Sequence, residues 1–272
     1  QGKELSFNNL IDLNAAWDLV REMESGAVAI IKHTNPCGVA LGDDQLKTFI
    51  IAREVDPVSA FGGILAFNQL VTTETAEEIL KNFVEAVVAP GVDPDAIKLF
   101  SAKKNIRLMQ MPDLALNEKD QRFDMKRIGG GLLVQSQDSL NYVEDQLKIA
   151  SEREPDAREM EDMKFAWLVA KHVKSNAIIY AKDKEILGIG AGQMSRVDSA
   201  RVAVEKARKS LSGAVMASDA FFPFRDSVDE AAKHGISAII SPGGSIRDEE
   251  VLRAANERNI AMVFTGTRHF KH

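Results

Sequence analysis

Short apolar runs alternate with amphipathic segments along almost the whole chain, and this alternation constrains the fold more than any other feature. The apolar runs have the length of buried strands, and the other segments repeat their apolar residues at helical spacing. Such alternation predicts an α/β protein. The predicted strands cover residues 27–31, 64–67, 86–89, 106–110, 127–135, 177–181, 185–189, 213–218, 236–240 and 260–264. The predicted helices cover residues 12–24, 45–54, 73–83, 95–103, 159–171, 197–209, 226–234 and 247–258.

The chain of 272 residues, 45% of them hydrophobic, is long enough for one large core or for two domains of about 130 residues each. Polar and charged residues dominate between residues 136 and 156, where we expect a boundary. The predicted domains are therefore residues 1–136 and residues 137–272. The two halves show no close sequence repeat, and the residues alone leave a structural duplication open.

Composition excludes several classes of protein. No stretch approaches the roughly 18 uninterrupted apolar residues of a membrane helix, and the first residues lack a secretory pattern, which favours the cytoplasm. The net charge of −6 argues against a general nucleic-acid binder. Cys37 is the single cysteine, so sites that need two thiolates are excluded. The chain opens on Gln1 rather than methionine, and we expect it to be part of a longer polypeptide.

Lys32 and His33 stand where the predicted strand 27–31 gives way to residues 34–38. Pro36 and Gly38 predict that these residues form a loop. Ligands of open α/β sheets bind at the carboxyl ends of strands, and both side chains can serve one pocket if the strand has ended by Lys32. They would then supply a fixed cation and a group that titrates near neutrality, suited to oxyanion stabilisation and proton transfer. A solvated surface dipeptide is the alternative.

Glycine-rich and aromatic loops supply further candidates. Residues 188–196 join a strand to a helix, so their amides and Arg196 could meet an anion, although Gln193 breaks the dinucleotide fingerprint. A tight turn that needs small residues is the alternative. Residues 218–226 place three phenylalanines in a loop, which indicates either a flat ligand or an oligomer interface, or a loop folded onto its own core.

Two segments near the end of the chain add weaker candidates. Ser245 and Asp248 resemble a helix-capping pair, and capping alone is the favoured interpretation of that loop. The basic and aromatic residues 268–272 follow directly on the last predicted strand, so they can be ordered and Arg268 is a candidate anion ligand.

Together these segments resemble the aminoimidazole carboxamide ribonucleotide (AICAR) transformylase part of the bifunctional purine biosynthesis family, whose members also carry an inosine monophosphate (IMP) cyclohydrolase domain. The similar segments are residues 31–38, 56–63, 174–177, 188–196, 218–226, 242–247 and 268–272. The resemblance implies an αβα sandwich of the cytidine deaminase-like type, duplicated within the chain. It also implies a formyltransferase of purine biosynthesis that moves the formyl group of 10-formyltetrahydrofolate to the 5-amino group of AICAR. The implied assembly is a homodimer with active sites at the subunit interface.

The resemblance also assigns roles by position. His33 matches the proposed proton acceptor, and Lys32 matches the residue thought to stabilise the transition state, through the oxyanion or the departing folate nitrogen. Glu85 stands where some members place an aspartate. The positions that match nucleotide contacts are Gly62, Glu85, Asn176, Arg196, Phe221 and Arg268. The positions assigned to folate contacts are Val197, Asp226, Ser245 and Ile246.

No transition metal is expected, because the zinc deaminases of this fold need a His or Cys and two further cysteines. A monovalent cation is left open. The upstream Arg-Tyr-Gly-Glu-Asn-Pro-His-Gln segment of the family, which contributes nucleotide contacts, is absent from the chain, so we expect the chain alone to bind AICAR weakly and to turn over poorly. The alternatives are a catalytically silent nucleotide- or folate-binding dimerisation module and a zinc deaminase, which the cysteine count opposes.

Overall fold

The structure is a computed structural model that describes residues 1–112 and 123–272. Its helices in these ranges are α1 (Phe7–Arg21), α2 (Gln45–Val55), α3 (Pro57–Ala60), α4 (Thr73–Ile79), α5 (Pro94–Ser101), α6 (Ala157–Lys171), α7 (Arg196–Lys206), α8 (Asp226–Lys233) and α9 (Asp248–Glu257). Its strands in the first half are β1 (Ala27–Lys32), β2 (Asn35–Leu41), β3 (Ile64–Phe67), β4 (Ala86–Ala89), β5 (Arg107–Gln110), β6 (Phe123–Ile128) and β7 (Gly131–Ser136). Its remaining strands are β8 (Lys148–Ile149), β9 (Ile178–Lys182), β10 (Glu185–Gly190), β11 (Val215–Ser218), β12 (Ala238–Ser241) and β13 (Ala261–Phe264).

Within the described ranges, one 11-stranded mixed sheet forms the centre of the molecule, in the order β5-β4-β3-β1-β2-β10-β9-β11-β12-β13-β8. The order reads symmetrically outward from the β2–β10 contact, because β1, β3, β4 and β5 on one side correspond to β9, β11, β12 and β13 on the other. Each half begins with a helix and a hairpin and continues with parallel strands joined by helices. The topology therefore confirms the duplication that the sequence left open.

Helices cover both faces of the sheet. One face carries α1 and α6, whose apolar residues join both halves in one core that contains Leu19 and the fully buried Trp167. The opposite face carries separate cores, with Phe49 and Phe100 from α2 and α5 in the first half, and residues of α7, α8 and α9 in the second. The arrangement is the αβα sandwich expected from the sequence. The division at residues 136 and 137 stays a prediction.

Strand directions place many loops at one edge of the sheet. Because β1 is antiparallel to β2 and β2 to β10, β1 and β10 run in the same direction and end at the same edge. The strands β11, β12 and β13 also end there, whereas β3, β4 and β9 begin there. We call this edge, at which His33 lies, the His33 edge, and the opposite one, at which Asp183 lies, the Asp183 edge.

The sequence-based prediction of a loop at residues 34–38 was wrong for residues 35–38, which begin β2, whereas Thr34 lies in the turn before that strand. Pro36 lies where the β1–β2 register shifts between Ile30 and Ile31, and a proline without an N–H donor is tolerated at such an irregularity. A Cβ atom on Gly38 would lie 1.9 Å from the carbonyl oxygen of Ala52, so this glycine allows α2 to approach the strand. Both residues that predicted a loop therefore serve a strand.

Other element boundaries also need correction. The predicted strand 127–135 is a two-stranded ribbon, β6 and β7, which turns at Gly130 with a φ of 83°. The helix predicted from residue 12 begins earlier, at Phe7, because Ser6 accepts from the Asn9 amide in a capping box. The helix predicted to reach Phe83 ends at Ile79, and the Phe83 carbonyl instead accepts from the Gly62 amide.

Candidate functional site

Lys32 and His33 lie at the tip of a tight hairpin at the His33 edge. β1 ends at Lys32, as the sequence predicted, and Lys32 pairs with Asn35 across a two-residue turn. The turn residues His33 and Thr34 have φ values of 52° and 63°, as in type I′ turns. The Thr34 amide donates to Asp12 Oδ1 at 2.7 Å, which ties the turn to α1. The hairpin thus presents an exposed histidine on a fixed backbone.

Lys32 reaches across to the start of β3. Its Nζ donates to the carbonyl oxygens of Phe61 and Gly62 at 2.9 and 3.0 Å. Gly62 has a φ of 66°, and a Cβ atom on it would lie 3.1 Å from Phe83 and 3.3 Å from Lys32 Nζ. The rings of Phe61 and Phe83, both exposed, pack 5.5 Å apart beside this contact. An ammonium has a third N–H, which is the one available to a ligand.

Glu85 lies at the same edge, just before β4, and is held by residues that sequence reasoning missed. Its Oε1 accepts from Arg107 NH1 at 2.7 Å and from Asn9 Nδ2 at 3.5 Å. Arg107 is itself buried and also donates to the Glu4 carbonyl. The side chain of Glu85 is 33% exposed, so it is oriented but accessible. The sequence signal for this contact was Arg107, a single arginine within the short predicted strand 106–110.

The glycine-rich loop joins β10 to α7 as predicted, but two of its three glycines, Gly188 and Gly190, serve packing, while Gly192 has a φ of 68°. Cβ atoms on Gly188 and Gly190 would lie 2.2 and 1.9 Å from carbonyl oxygens of α7, so the small residues allow this helix to approach the strand. The Gly192 amide donates to the Lys174 carbonyl at 2.8 Å. Ser195 caps α7 through the Asp198 amide. Anion binding by this loop therefore stays a prediction.

Arg196 is the first residue of α7 and is only 9% exposed. Its Nε donates to Ser218 Oγ at 2.7 Å, and its NH2 donates to Asp219 Oδ1 at 2.8 Å. These bonds hold the guanidinium in one orientation. Val197 follows it and is half-buried.

Asn176 precedes β9 and lies close to the same loop. Its Nδ2 donates to the Gln193 carbonyl at 2.8 Å and to the Met194 carbonyl at 3.2 Å. Its own carbonyl accepts from Ser199 Oγ in α7 at 2.8 Å. The residue is thereby fixed beside the start of α7, next to Arg196.

The aromatic loop divides its phenylalanines between core and surface. Phe222 is 1% exposed and belongs to the second-half core, whereas Phe221 and Phe224 are 36% and 48% exposed. The Arg247 guanidinium lies 4.6 Å from the centre of the Phe224 ring. Asp226 begins α8 and is exposed. Phe222 thus confirms that part of the loop folds onto its own core, whereas a role of Phe221 and Phe224 in binding a ligand or in an interface stays a prediction.

The predicted capping pair at residues 245 and 248 is formed in part, because Ser245 is not the cap residue of α9 and its Oγ accepts from the Arg247 amide at 3.1 Å. α9 begins at Asp248, after an Arg247 cap residue that makes no side-chain cap bond. The Asp248 carboxylate instead accepts from the amides of Gly244 and Ser245 at 2.7 and 3.2 Å. The chain therefore supplies its own carboxylate to these amides, because Asp248 reaches back over the loop. Ile246 at the loop tip is fully exposed.

The terminal residues 268–272 lie against the His33 edge. The His269 amide donates to the Asp219 carbonyl at 3.0 Å, and the Ser175 amide donates to the Lys271 carbonyl at 2.9 Å. His269 is fully buried, with its ring 4.7 Å from that of Trp167. Arg268 stays exposed beside the Phe270 ring. The anchored neighbours leave Arg268 free to meet a ligand.

The candidates form two groups along the His33 edge. The first group lies at β1, β3 and β4 and contains Lys32, His33, Gly62 and Glu85. The second group lies where β9 begins and where β10 to β13 end. It contains Asn176, Arg196, Val197, Phe221, Asp226, Ser245, Ile246 and Arg268. Three strand spacings, about 14 Å, separate β1 from β9. The loops of the two groups are in direct contact, because the Lys174 amide donates to Asn35 Oδ1 at 2.9 Å.

Metal ligands do not cluster in the part of the chain that the structure describes, where no group of three or more His, Cys, Asp or Glu could hold an ion. Burial, with a further contribution from Asp56, raises the pKa of Cys37 to about 12. The thiol is therefore protonated at neutral pH. None of the helices in residues 1–112 and 123–272 is long and apolar enough to cross a membrane.

Comparison with known proteins identifies one family. The family described as AICARFT/IMPCHase bienzyme matches residues 1–206. The bifunctional purine biosynthesis protein PurH of Magnetococcus marinus is 54% identical over 283 residues, covering 100% of this chain and 53% of the relative. The chain thus spans about half the length of that curated relative. A solved structure titled protein ybgI, of unknown function, covers 76% of this chain and 72% of its own at 14% identity and a TM-score of 0.18, too low to support a structural comparison.

Proposed function

The chain belongs to the AICARFT/IMPCHase bienzyme family, and from this premise we propose that it transfers the formyl group of 10-formyltetrahydrofolate to the 5-amino group of AICAR. The observation that carries the proposal is the hairpin tip, where the exposed His33 stands next to Lys32 and Gly62. The second group of candidates lies at the same edge of the sheet. The IMP cyclohydrolase activity of the longer polypeptide is a further proposal from family membership.

The proposed chemistry divides between the two hairpin residues. The amine of AICAR is conjugated to the imidazole ring and is a poor nucleophile, so His33 accepts its proton as the nitrogen attacks the formyl carbon. A new C–N bond forms, the formyl carbon becomes tetrahedral, and its oxygen becomes an oxyanion. The bond from that carbon to the folate nitrogen then breaks, and this nitrogen takes up a proton. Lys32 stabilises the oxyanion or helps to protonate the departing nitrogen through its third N–H.

The proposed ligand contacts follow the two groups. Arg196, Asn176 and Arg268 supply the charge and hydrogen bonds for the nucleotide, and Phe221 offers a flat surface to its ring. Gly62 and Glu85 contact the nucleotide from the first group. The folate contacts are proposed for Val197, Asp226, Ser245 and Ile246.

We infer that a second copy of the chain completes the site, as a homodimer. The nearest strands that carry the two groups, β1 and β9, lie about 14 Å apart in the sheet of one chain. The ribbon β6–β7 also exposes Phe123, Met125, Leu132 and Val134, each by more than half. An isolated two-stranded ribbon with an apolar face is marginally stable in water, so a packing partner is expected.

The formyl-transfer assay tests the proposed activity. The chain, alone and with the upstream family segment restored, is mixed with AICAR and 10-formyltetrahydrofolate, and production of the formylated nucleotide is measured. Activity that disappears in His33→Ala supports the enzyme. Tight binding of AICAR or folate without turnover contradicts it and supports the silent binding module.

Mixing two inactive variants tests the shared site. If one subunit supplies His33 and the other Arg196, random dimers of His33→Ala and Arg196→Ala regain about a quarter of wild-type activity. A mixture that stays inactive after subunit exchange places both residues in one protomer and contradicts the shared site. Analytical ultracentrifugation of the same samples shows whether dimers form and exchange.

The remaining proposals follow the family resemblance. We place the reaction in the cytoplasm, with small-molecule substrates rather than nucleic acid. We propose that no transition metal takes part, because the zinc deaminases of this fold need a His or Cys and two further cysteines, whereas Cys37 is the single cysteine of this chain. A need for a monovalent cation is tested by comparing the activity in potassium and in tetramethylammonium buffers.

A further inference from the structure

Asp219 follows β11 at the His33 edge and is 1% exposed. Its Oδ1 accepts from Arg196 NH2 at 2.8 Å. Its other carboxylate oxygen accepts from Ser175 Oγ, and its backbone carbonyl accepts from the His269 amide at 3.0 Å. One buried residue therefore contacts three chain segments that are far apart in sequence.

Each of these contacts is next to a candidate nucleotide ligand. Arg196 is itself a candidate, Ser175 precedes Asn176, and His269 follows Arg268. The Arg196 guanidinium is oriented from two sides, by Asp219 and by Ser218 Oγ. A guanidinium has five N–H donors, so these two bonds leave others to meet a phosphate.

The duplicated fold supplies an internal comparison for this position. Asn68 follows β3 as Asp219 follows β11, and both amides donate at 3.3 Å to the first residue of the corresponding hairpin segment, Ala27 or Ala177. The Asn68 side chain binds only backbone groups, from Gly26 and Ala27 on one side and from the end of α1 on the other. A neutral amide side chain thus satisfies the backbone groups at this position of the fold. Of these two positions, only Asp219, at the His33 edge, carries a carboxylate that binds an arginine.

We propose that Asp219 is a positioning residue for the nucleotide, which orients Arg196 directly and, to a smaller extent, places Asn176 and Arg268 through their neighbours, without touching the ligand. The inference rests on the proposed function, because it assigns those three residues to AICAR. It follows that removal of the Asp219 charge weakens nucleotide binding far more than it slows the chemical step at His33.

The test is Asp219→Asn in the longest soluble form of the protein, with steady-state kinetics for both substrates. The substitution keeps the shape and removes the charge that orients Arg196. We expect the KM for AICAR to rise about 10- to 100-fold, the fold-change associated with a lost charge-assisted hydrogen bond. The kcat at saturating AICAR stays within about threefold of wild type, because the His33 hairpin is untouched.

Asp162→Asn is the matched control. Asp162 is also 1% exposed, and its carboxylate accepts from the amides of Asp183 and Lys184 at 2.9 and 2.8 Å, but at the Asp183 edge. A general loss of stability therefore affects both variants, whereas only Asp219→Asn is expected to change the KM for AICAR. An equal change of KM in both variants overturns the proposal, as does an unchanged KM in Asp219→Asn.

Two further measurements keep the outcome decisive. In an Arg196→Ala background, Asp219→Asn is expected to raise the KM by a much smaller factor than in the wild type, because it acts largely through the arginine. If Asp219→Asn does not fold, Ser175→Ala removes one contact to the carboxylate and is expected to raise the KM about threefold. The positioning role is contradicted if Asp219→Asn raises the KM as much in the Arg196→Ala background as in the wild type. It is also contradicted if Ser175→Ala leaves the KM unchanged.

Failure of the inference is distinguishable from failure of the proposed function. A wild-type protein that transfers formyl groups while Asp219→Asn shows a normal KM contradicts the inference alone. A wild-type protein that transfers none contradicts the proposed function. Calorimetric titration of AICAR into wild type and Asp219→Asn then still tests the effect on binding, and equal affinities overturn the inference.

Discussion

The two hairpins of the molecule have the same skeleton and different tips. Each turns over two residues with positive φ, His33 and Thr34 in the first and Asp183 and Lys184 in the second. Each turn is held by an aspartate of the preceding helix, Asp12 in α1 or Asp162 in α6. The duplicated fold therefore determines where both tips lie and how firmly they are held.

The lysines before the two turns also correspond. Lys32 Nζ donates to the carbonyls of Phe61 and Gly62, and Lys182 Nζ donates to the Ser212 carbonyl at 3.0 Å, next to Gly213. Gly62 and Gly213 both have positive φ values, 66° and 71°. The carbonyl contact of a hairpin lysine is thus a property of the fold. What distinguishes the His33 edge is the histidine at the tip and the second group of candidates beside it.

The largest expected difference between the hairpins is the effect of replacing the tip residue. We predict that His33→Ala lowers kcat about 100- to 10,000-fold, the usual contribution of a general base. Asp183→Ala is the matched control and leaves formyl transfer unchanged within about twofold, because Asp183 lies at the opposite edge. A loss of activity in both variants, measured at saturating substrate, would show that the hairpin tips act through stability.

Replacing the lysines is expected to give the second largest difference. Lys32→Met lowers kcat about 100-fold if the ammonium stabilises the transition state, since loss of one such donor typically costs that much. Lys182→Met loses the same kind of carbonyl contact but retains its activity. Thermal unfolding of both variants measures the shared structural part. If the activities fall equally, the role of Lys32 is structural.

Alanine substitutions of the corresponding glycines, Gly62 and Gly213, separate the effect of backbone strain from the effect on the geometry of the site. Alanine at either position is strained because of the positive φ, so Gly62→Ala and Gly213→Ala are each expected to lower the free energy of unfolding by about 1–2 kcal/mol. A Cβ would lie 3.3 Å from Lys32 Nζ in Gly62→Ala and 3.4 Å from Lys182 Nζ in Gly213→Ala. Because only Lys32 belongs to the proposed site, only Gly62→Ala is expected to raise the KM for AICAR. Denaturant titration and kinetics on both proteins check the pair. Equal kinetic effects contradict the comparison.

The smallest expected difference concerns the aspartates that hold the turns. Asp162→Ala leaves two amides without their acceptor and is expected to cost about 2–3 kcal/mol of unfolding free energy, whereas Asp12→Ala frees one amide and costs about 1 kcal/mol. Urea unfolding measures both values. The reverse order of the two costs would mean that the turns are held differently from the contacts described above.

Sequence patterns predicted the central strands well because they are short, apolar and buried on both faces. β3 and β4 have the predicted bounds, and the predicted strands 177–181 and 185–189 agree with β9 and β10 to within one residue at each end. β2 was missed because Pro36 and Gly38 have local meanings that favour a loop, while their actual reasons are a register shift and a helix 14 residues away in sequence at Ala52. Such reasons are tertiary and leave no local signal.

The duplication and the contacts of Asp219 were hidden for the same reason. Few side chains repeat between the halves, although the backbone contacts of Gly62 and Gly213 correspond. Local patterns indicated Lys32, His33, Arg196 and Arg268, and the family resemblance then assigned their roles and added further candidates. The topology places these candidates at one edge of the sheet. Asp219 has no local signal, because its partners Ser175, Arg196 and His269 come from three other segments.

A nucleotide-bound structure tests the central claim most directly. The account predicts that AICAR binds at the His33 edge, with its 5-amino nitrogen within about 3 Å of the His33 ring and its phosphate near Arg196 or Arg268. The Asp183 turn is predicted to carry no nucleotide. A structure in which AICAR binds at the Asp183 edge, or in which its amine lies beyond hydrogen-bonding distance of His33, would contradict the account.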